Sequence, residues 1–367
     1  MLRKFSVRNF RCLQNLDIEP LARVNLIVGE NNVGKTALLE ALNIHCAPNS
    51  PERVFGVNFF RGAGGNNAEH WNELSWLFHA RQTSTDITLQ SDHGGSGEGA
   101  LRIRFVQPEE RSLLPADANG ALKTELHLGA ANASSNELIL EYMDSEGKEY
   151  TSHARLTPQE TLSSSANVDP FEIKFSSSSI DPYGPAILVP KYPRFPEVYA
   201  EQYSALVEAG REAEVLPPLQ ALDPRIQRLE LLYRLNRPVF YADTGNVPLM
   251  PLLHMGEGIA HVLSWLLAIK TIKNGTILID EFENGLYYTA LVDVWKAISA
   301  AARESNLQVF ATTHSWECVL AAHRAFVESN EYDFRLHRLE RRDGKVIALT
   351  YDEEQLATSI HANLEVR

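Results

Sequence analysis

The stretch VNLIVGENNVGKT, residues 24–36, joins an apolar run to a glycine-bounded loop, and a helix-like segment, ALLEALNI, follows it. Its second half matches G-x-x-x-x-G-K-[ST], the phosphate-binding loop, with a strand pattern before it and a helix pattern after it. In such a loop, backbone N–H groups and the positive end of the new helix bind phosphate oxygens. Lys35 supplies a charge for the β- and γ-phosphates, and the Thr36 hydroxyl is an oxygen ligand suited to Mg²⁺. The stretch therefore predicts a site for a nucleoside triphosphate.

The composition is that of an ordinary globular protein, with 367 residues, 44% hydrophobic and 22% charged. No window approaches the roughly 20 uninterrupted apolar residues of a membrane span, and the N-terminus lacks the apolar core of a signal peptide. The cysteines Cys12, Cys46 and Cys318 have no C-x-x-C spacing, so neither a disulfide framework nor a cysteine zinc site is indicated. We therefore expect a cytoplasmic protein with no membrane partner.

The net charge of −13 argues against a broadly basic surface of the kind that binds nucleic acid. A local basic groove is still compatible with it, because screening at physiological salt limits each charge to about 8 Å. One candidate is RLHRLERRDGK (335–345), which fits either a hairpin that contacts phosphates or an exposed edge strand protected by charge. The sequence leaves nucleic acid binding open.

The middle of the chain predicts an antiparallel meander followed by helices. Four short segments have alternating polarity, and loops rich in Gly, Asn and Ser separate them: ITLQS (87–91), LRIRFV (101–106), LILEYM (138–143) and FEIKF (171–175). Residues 48–71 read as irregular, whereas 198–235 has helical spacing broken by prolines. From about 239, apolar strands alternate with long helices, as in a parallel sheet.

Two apolar strands in the C-terminal part end in polar residues. TILIDE (276–281) delivers Asp280, a predicted Mg²⁺ ligand, and Glu281, which is positioned to polarise the attacking water as general base. LQVFATT (307–313) ends at His314, a candidate sensor of the γ-phosphate. Taken singly, the two acids also fit a solvated turn, and the histidine a cap or core residue.

A further anion pocket is indicated by Gly256-Glu257-Gly258, which directly precede an apolar helix. Alone, this short glycine motif is weak evidence. The motif is stronger evidence for an anion site because it lies shortly before the TILIDE strand.

Taken in order, GENNVGKT, MGEG, LIDEFENGL and TTHS resemble the ABC-type ATPase heads of the SMC/RecF/OLD group, and in particular the bacterial RecF-like and OLD-like AAA family ATPases. The resemblance implies an α/β P-loop NTPase of the ABC-ATPase head type. Its mixed sheet would have an antiparallel β lobe and a short helical arm inserted between the phosphate loop and TILIDE. The implied domains are lobe I (1–190), the arm (191–238) and lobe II (239–367). No Toprim nuclease domain is expected, because no D-x-D follows Glu283.

The resemblance also implies a role for each matched residue, with ATP and Mg²⁺ as the ligands. Lys35, Glu281 and His314 would be catalytic, and Thr36 and Asp280 would hold the metal. Arg11 would approach the nucleotide edge. The phosphates would be bound by Gly29, Asn31, Asn32, Gly34, Lys35, Thr36 and Ala37.

In this group the glycine motif acts in trans, so Gly256, Glu257 and Gly258 would complete the site of a second subunit in an ATP-dependent head-to-head homodimer or a higher oligomer. One departure is His254, which stands where the transporter signature L-S-G-G-Q has serine.

Three functions fit these features. The first is an ATP-gated dimeric switch that controls a separately encoded effector, such as a Toprim or HNH-type nuclease, in an anti-phage defence system. The second is a RecF-like DNA-binding ATPase of repair or recombination. The third, an ABC transporter subunit, is disfavoured by the degenerate signature.

Overall fold

The computed structural model describes residues 1–59, 61, 66–94, 97–106, 136–158, 169, 171–178, 180, 182–191, 196–245, 248–329, 331–362, 364 and 366. The strands are β1 (Lys4–Phe10), β2 (Leu13–Ile18), β3 (Val24–Gly29), β4 (Ile87–Asp92), β5 (Glu98–Val106), β6 (Glu137–Met143), β7 (Glu149–Pro158), β8 (Phe171–Ser176), β9 (Ala186–Val189), β10 (Arg228–Arg234), β11 (Arg237–Asp243), β12 (Met250–Pro251), β13 (Thr276–Ile279), β14 (Gln308–Thr312), β15 (Phe334–Arg342) and β16 (Lys345–Tyr351).

The helices are α1 (Lys35–His45), α2 (Pro51–Phe59), α3 (Asn67–Glu73), α4 (Pro196–Glu208), α5 (Leu216–Leu222), α6 (Glu257–Thr271), α7 (Leu291–Glu304), α8 (Trp316–Val327) and α9 (Glu353–His361). Short 3₁₀ turns connect several of them. Within the described ranges, none of these helices has the length and apolarity that a membrane crossing requires.

A six-stranded sheet carries the predicted site. Its order is β16-β15-β3-β14-β13-β9, with β16 antiparallel and the other five strands parallel. Every residue of β3, β13 and β14 is buried, as expected for strands covered on both faces. Successive side chains enter different cores, because strand residues alternate between faces: Leu26 and Val28 pack in the core of α6 and α7, and Ile27 in the core of α1.

The second sheet is the antiparallel meander, in the order β2-β1-β4-β5-β6-β7-β8. All four segments predicted as strands are strands, and β7 is an additional one that pairs with β6 and β8. One face of this sheet packs on α1 through residues such as Leu89, Leu101 and Leu140. Much of the Ser- and Gly-rich sequence between the strands, including residues 107–135 and 159–168, lies outside the described residues.

The predicted helical arm is only partly helical. α4 and α5 lie within it, but residues 228–234 form strand β10, which pairs with β11. Leu235 and Asn236 connect the two strands, and both have left-handed φ values, 49° and 61°, which a two-residue hairpin turn requires. The apolar spacing of this segment suited a strand as well as a helix, and pairing with 237–243 decided between them. The domain limits at residues 190 and 238 stay a prediction.

Another expectation was wrong, because residues 48–71 were predicted to be irregular and yet contain α2 and most of α3. For the basic segment 335–345, a hairpin and an exposed edge strand were both left open, and the structure shows a hairpin of β15 and β16. Residues 334–339 of β15 also pair with β3, so β16 is the edge of the sheet.

Candidate nucleotide site

A cleft of about 1060 Å³ opens at the carboxyl ends of β3, β13 and β14. Parallel strands bring their carboxyl ends to one edge of a sheet, and ligands bind there in open α/β folds. Ten of the predicted site residues line this cleft: Arg11, Asn31, Asn32, Gly34, Lys35, Thr36, Ala37, Asp280, Glu281 and His314. The described residues that line it do not include Gly29, Gly256, Glu257 or Gly258.

The loop between β3 and α1 has the tight backbone that its glycines permit. Gly34 has φ of 118°, and a Cβ there would lie 2.8 Å from Leu13 Cδ2 and 2.9 Å from Cys12 Sγ. Gly29 has φ of 142° and would collide with the carbonyl oxygen of Leu339 if it had a side chain. Gly29 therefore acts on the loop conformation rather than as a wall of the cleft.

The lysine side chain folds back along this loop. Lys35 Nζ donates hydrogen bonds to the carbonyl oxygens of Gly29 at 2.7 Å and Glu30 at 3.0 Å. Burial lowers the pKa of Lys35, and the carboxylates of Glu283 and Asp280 act in the opposite direction. The ammonium group is thus held at the entrance of α1, where it and the helix N-terminus present positive charge to the same ligand.

Asp280 is joined to both neighbouring strands through hydroxyl groups. Thr36 Oγ1 lies 3.1 and 3.2 Å from its two carboxylate oxygens, and Thr312 Oγ1 donates to Oδ1 at 2.7 Å. Burial raises the pKa of Asp280, and the two threonine hydroxyls oppose that rise. The hydroxyl and carboxylate oxygens are hard ligands that fit Mg²⁺, which takes one or two protein groups plus phosphate oxygens. In the described part of the chain, no cluster of three or more His, Cys, Asp or Glu side chains offers another metal site.

Glu281 is turned toward the cleft by its backbone. Its φ is 53°, a left-handed value that costs a non-glycine residue about 1–2 kcal/mol. Its backbone N–H donates to Thr312 Oγ1 at 2.8 Å, and its carboxylate lies 2.5 Å from Lys191 Nζ. Lys191 follows β9, the parallel neighbour of β13, and therefore reaches the same edge of the sheet.

Glu283 holds the predicted sensor histidine. Its Oε1 accepts hydrogen bonds from the backbone N–H of His314 at 2.9 Å and lies 2.7 Å from His314 Nδ1. The carboxylate is nearly buried, whereas the His314 ring is 56% exposed. The ring is therefore oriented through Nδ1 while its other edge stays accessible from the cleft.

Arg11 contributes to a charged cluster at the wall of the cleft. Its Nε lies 2.6 Å from the buried carboxylate of Glu40, and Arg61 binds the same carboxylate at 2.7 Å. Arg11 Nη2 also donates to Asn58 Oδ1 at 3.0 Å. Two guanidinium groups share one carboxylate here, so the cluster keeps a net positive charge beside the predicted phosphate position.

The glycine motif lies outside the cleft, against the loop that follows β13. A Cβ on Gly258 would collide with the carbonyl oxygen of Gly285, in the ENGL segment, so the two loops are in contact. Three apolar side chains in the segments that contain the two loops are exposed: Leu253 is 73%, Tyr287 69% and Tyr288 57% accessible.

Several residues at the site were not among those predicted from the sequence. Thr312 ends a buried strand and Lys191 follows a short apolar run, so a polar residue at the end of a strand was the available signal. Glu283 lies two residues after Glu281. The pairing of Arg61 with Glu40 had no local signal, because it joins helix α1 to a residue 21 positions away.

Asp280→Asn should make the protein more stable in the absence of nucleotide and Mg²⁺. A carboxyl whose pKa is raised by folding binds its proton more readily in the folded state, so the protein loses stability as pH rises through that pKa. Asparagine avoids this cost. We expect a melting temperature higher by roughly 1–4 °C at pH 8 and a smaller gain at pH 5, measured by calorimetry in EDTA. A lower melting temperature at pH 8 would show that the threonine hydroxyls favour the ionised form.

Comparison with known proteins places the chain among ATPases. A family profile described as "AAA domain, putative AbiEii toxin, Type IV TA system" matches residues 24–319. An "ATP/GTP phosphatase" of Helicobacter pylori is 22% identical over 373 residues, which cover 97% of this chain and 97% of that protein. The "DNA replication and repair protein RecF" of Cellvibrio japonicus is 54% identical over 43 residues, 12% of each chain.

Among solved structures, an SMC head bound to the C-winged helix domain of ScpA is similar, with a TM-score of 0.51 and 13% identity. The match covers 97% of this chain and 99% of that one, and it supports the fold alone. The α/β fold of an ABC-type ATPase head is thereby confirmed. The chain belongs to the family of AAA domains described as putative AbiEii toxins, and it is an ATPase of the SMC/RecF/OLD-like group.

Proposed function

We propose that this ATPase depends on Mg²⁺, forms a homodimer when ATP is bound, and controls a separately encoded effector that acts on nucleic acid. The observation that carries the proposal is the position of Gly256–Gly258. These residues match the motif that contacts nucleotide, yet they lie outside their own chain's cleft. Gly256 and Glu257 are exposed, whereas Gly258 is buried against Gly285. A second copy of the chain would bring them to the phosphates.

In the proposed reaction, the loop backbone and Lys35 bind the β- and γ-phosphates of ATP. Glu281 orients a water molecule for attack on the γ-phosphorus and accepts its proton, while the bond from the γ-phosphorus to the bridging oxygen breaks and ADP leaves with that oxygen. His314 contacts the γ-phosphate through its accessible edge. Mg²⁺ held by Thr36 and Asp280 would supply positive charge beside the phosphate oxygens.

The surface around the glycine motif has features that fit binding of a second copy of the chain. Tyr287 and Tyr288 are exposed in the loop that contacts Gly258, and their rings lie 4.6 Å apart. Leu253, in the turn that precedes Gly256–Gly258, is exposed as well. Exposed aromatic groups of this kind are enriched at the centres of protein interfaces. We call Leu253, Tyr287 and Tyr288 the apolar patch.

Tyr287→Glu should weaken the ATP-bound dimer by roughly tenfold or more, because it places a charge in the apolar patch. The measurement is mass photometry of a hydrolysis-deficient Glu281→Gln protein with ATP, with ADP and without nucleotide. Tyr233→Glu is the matched control, since Tyr233 is also 69% exposed but lies on the β10–β11 hairpin. Equal dimerisation of the Tyr287 and Tyr233 variants would argue against the patch as the interface.

The proposal includes a separately encoded effector and a role in anti-phage defence. Support comes from the family description, which names a toxin of a toxin–antitoxin system, and from the resemblance to OLD-like ATPases. Co-expression with the product of the neighbouring gene should yield a complex that requires ATP, and loss of Lys35 should restore phage plating to the level of a control strain. Absence of a complex together with unchanged phage plating would rule out this role.

A RecF-like role in DNA binding is the second candidate. It is favoured by the short match to RecF and by the arginines of β15, although Arg338 and Arg342 both lie beside Glu340. ATP-dependent affinity for DNA that falls steeply with salt would support it, because bound phosphates release counterions. Binding that is absent or independent of salt would count against it.

A further inference from the structure

Trp76 is an exposed tryptophan in the wall of the nucleotide cleft. Its side chain is 59% accessible, whereas Trp71, Trp265 and Trp295 are at most 2% accessible. It lines the same cleft as the phosphate loop, Asp280 and Glu281. A single exposed apolar side chain is common, but this one lies in the cleft, where its ring is available to a ligand bound at the phosphate loop.

Arg81 is held over the indole ring. Its guanidinium carbon lies 4.5 Å from the ring centre, and Nη2 and Nε donate to Ser75 Oγ at 3.1 and 3.3 Å. Ala80 and Arg81 have left-handed φ values of 51° and 60°. Two consecutive non-glycine residues in this conformation are costly, and such strain is retained where surrounding contacts fix it.

Those contacts tie the segment to the turn between β1 and β2. The backbone N–H of Arg11 donates to the carbonyl oxygen of Leu77 at 2.6 Å, and His79 Nδ1 lies 2.8 Å from the carbonyl oxygen of Arg11. The next residue in that turn, Cys12, contacts the phosphate loop at Gly34. The position of Trp76 is therefore fixed relative to the residues that bind phosphate.

We propose that Trp76 and Arg81, here called the base platform, bind the base of the nucleotide whose phosphates occupy the loop. The inference rests on the proposed nucleotide binding and adds a determinant of substrate class. An indole ring stacks on the face of any base, and a guanidinium group stacks on aromatic rings. Recognition through the face of the ring favours purines, which have the larger surface, and gives little discrimination between ATP and GTP.

The test compares nucleotides with inorganic triphosphate, which has no base. Trp76→Ala should weaken binding of ATP and GTP by roughly 5- to 150-fold, the range for stacking one base on an aromatic side chain. Binding of inorganic triphosphate, measured in the same calorimetric series with Mg²⁺, should change less than twofold. Trp76→Phe keeps a ring face and should retain most of the ATP affinity. Trp76 is exposed, so neither variant disturbs the core, and melting temperatures check this.

The outcomes separate the two levels of the proposal. If Trp76→Ala leaves ATP affinity unchanged, or lowers the affinities for ATP and inorganic triphosphate equally, the base platform is wrong and nucleotide binding stands. If the wild-type protein binds neither ATP nor inorganic triphosphate, the proposed function is wrong, and the assignment of the base platform is wrong as well. As an independent readout, ATP should quench tryptophan fluorescence in the wild-type protein and much less in Trp76→Phe. Equal quenching in both proteins would also overturn the assignment.

Discussion

Lys35→Ala is expected to abolish measurable nucleotide binding. The side chain lies at the entrance of α1, with Nζ bonded to the carbonyl oxygens of Gly29 and Glu30, so bound phosphates would exchange two neutral acceptors for charged ones. Charge-assisted hydrogen bonds to phosphate are about twice as strong as neutral ones, and alanine also removes the charge. We expect affinity for ATP to fall by roughly 100-fold or more, measured by titration calorimetry with Mg²⁺.

Lys273→Ala is the control for the loss of one positive charge, because Lys273 is exposed in the turn between α6 and β13. Both variants should fold, since the strands and helices around the loop are held by buried apolar residues. Melting temperatures without nucleotide test this point. If folded Lys35→Ala protein binds ATP as tightly as the wild-type protein does, residues 29–36 are not the phosphate loop.

The parts of the site that could be predicted are those whose geometry is local. The phosphate loop is one continuous segment, and its residue types determine its backbone and its charge. The positions of Asp280 and His314 at the cleft were predictable for a related reason: each follows a buried apolar strand, and all parallel strands in a sheet end at the same edge. A short sequence window contained the information in each case.

The contacts that refine the site depend on register between distant segments. Thr312 meets Asp280 because β14 pairs with β13 with Phe310 opposite Leu278. Lys191 reaches Glu281 because β9 pairs with β13 on its other side. A shift of one residue would turn these side chains to the opposite face, and no local pattern specifies which register is adopted.

The misassigned hairpin has a similar cause. The apolar residues of 228–234 fit helical spacing, but only Leu229 is buried in β10, opposite the buried Ala242 of β11. The strand is stabilised by pairing across the Leu235–Asn236 turn, and those residues are not typical of such turns. Local propensity was therefore outweighed by a tertiary contact.

Glu281→Gln should retain ATP binding and lower turnover by roughly 10²- to 10⁴-fold, the usual size of a general-base effect. Glutamine matches the shape of the side chain but cannot accept the proton of the attacking water. The strained backbone at Glu281 and its bond to Thr312 Oγ1 do not involve the carboxylate, so the loop should keep its conformation. The measurement is steady-state phosphate release together with calorimetric ATP binding.

Glu283→Gln is the matched control, since the same change is made two residues away in the same loop. Its Oε1 accepts from the backbone N–H of His314, and a glutamine oxygen can still do so. The contact with His314 Nδ1 is weakened, because a neutral amide attracts that N–H less strongly than a carboxylate. We therefore expect Glu283→Gln to slow turnover by less than Glu281→Gln. A normal rate in Glu281→Gln combined with a large loss in Glu283→Gln would contradict this assignment. Glu283 would then be the general base that polarises the water, and the main role of Glu281 would be to bind Lys191.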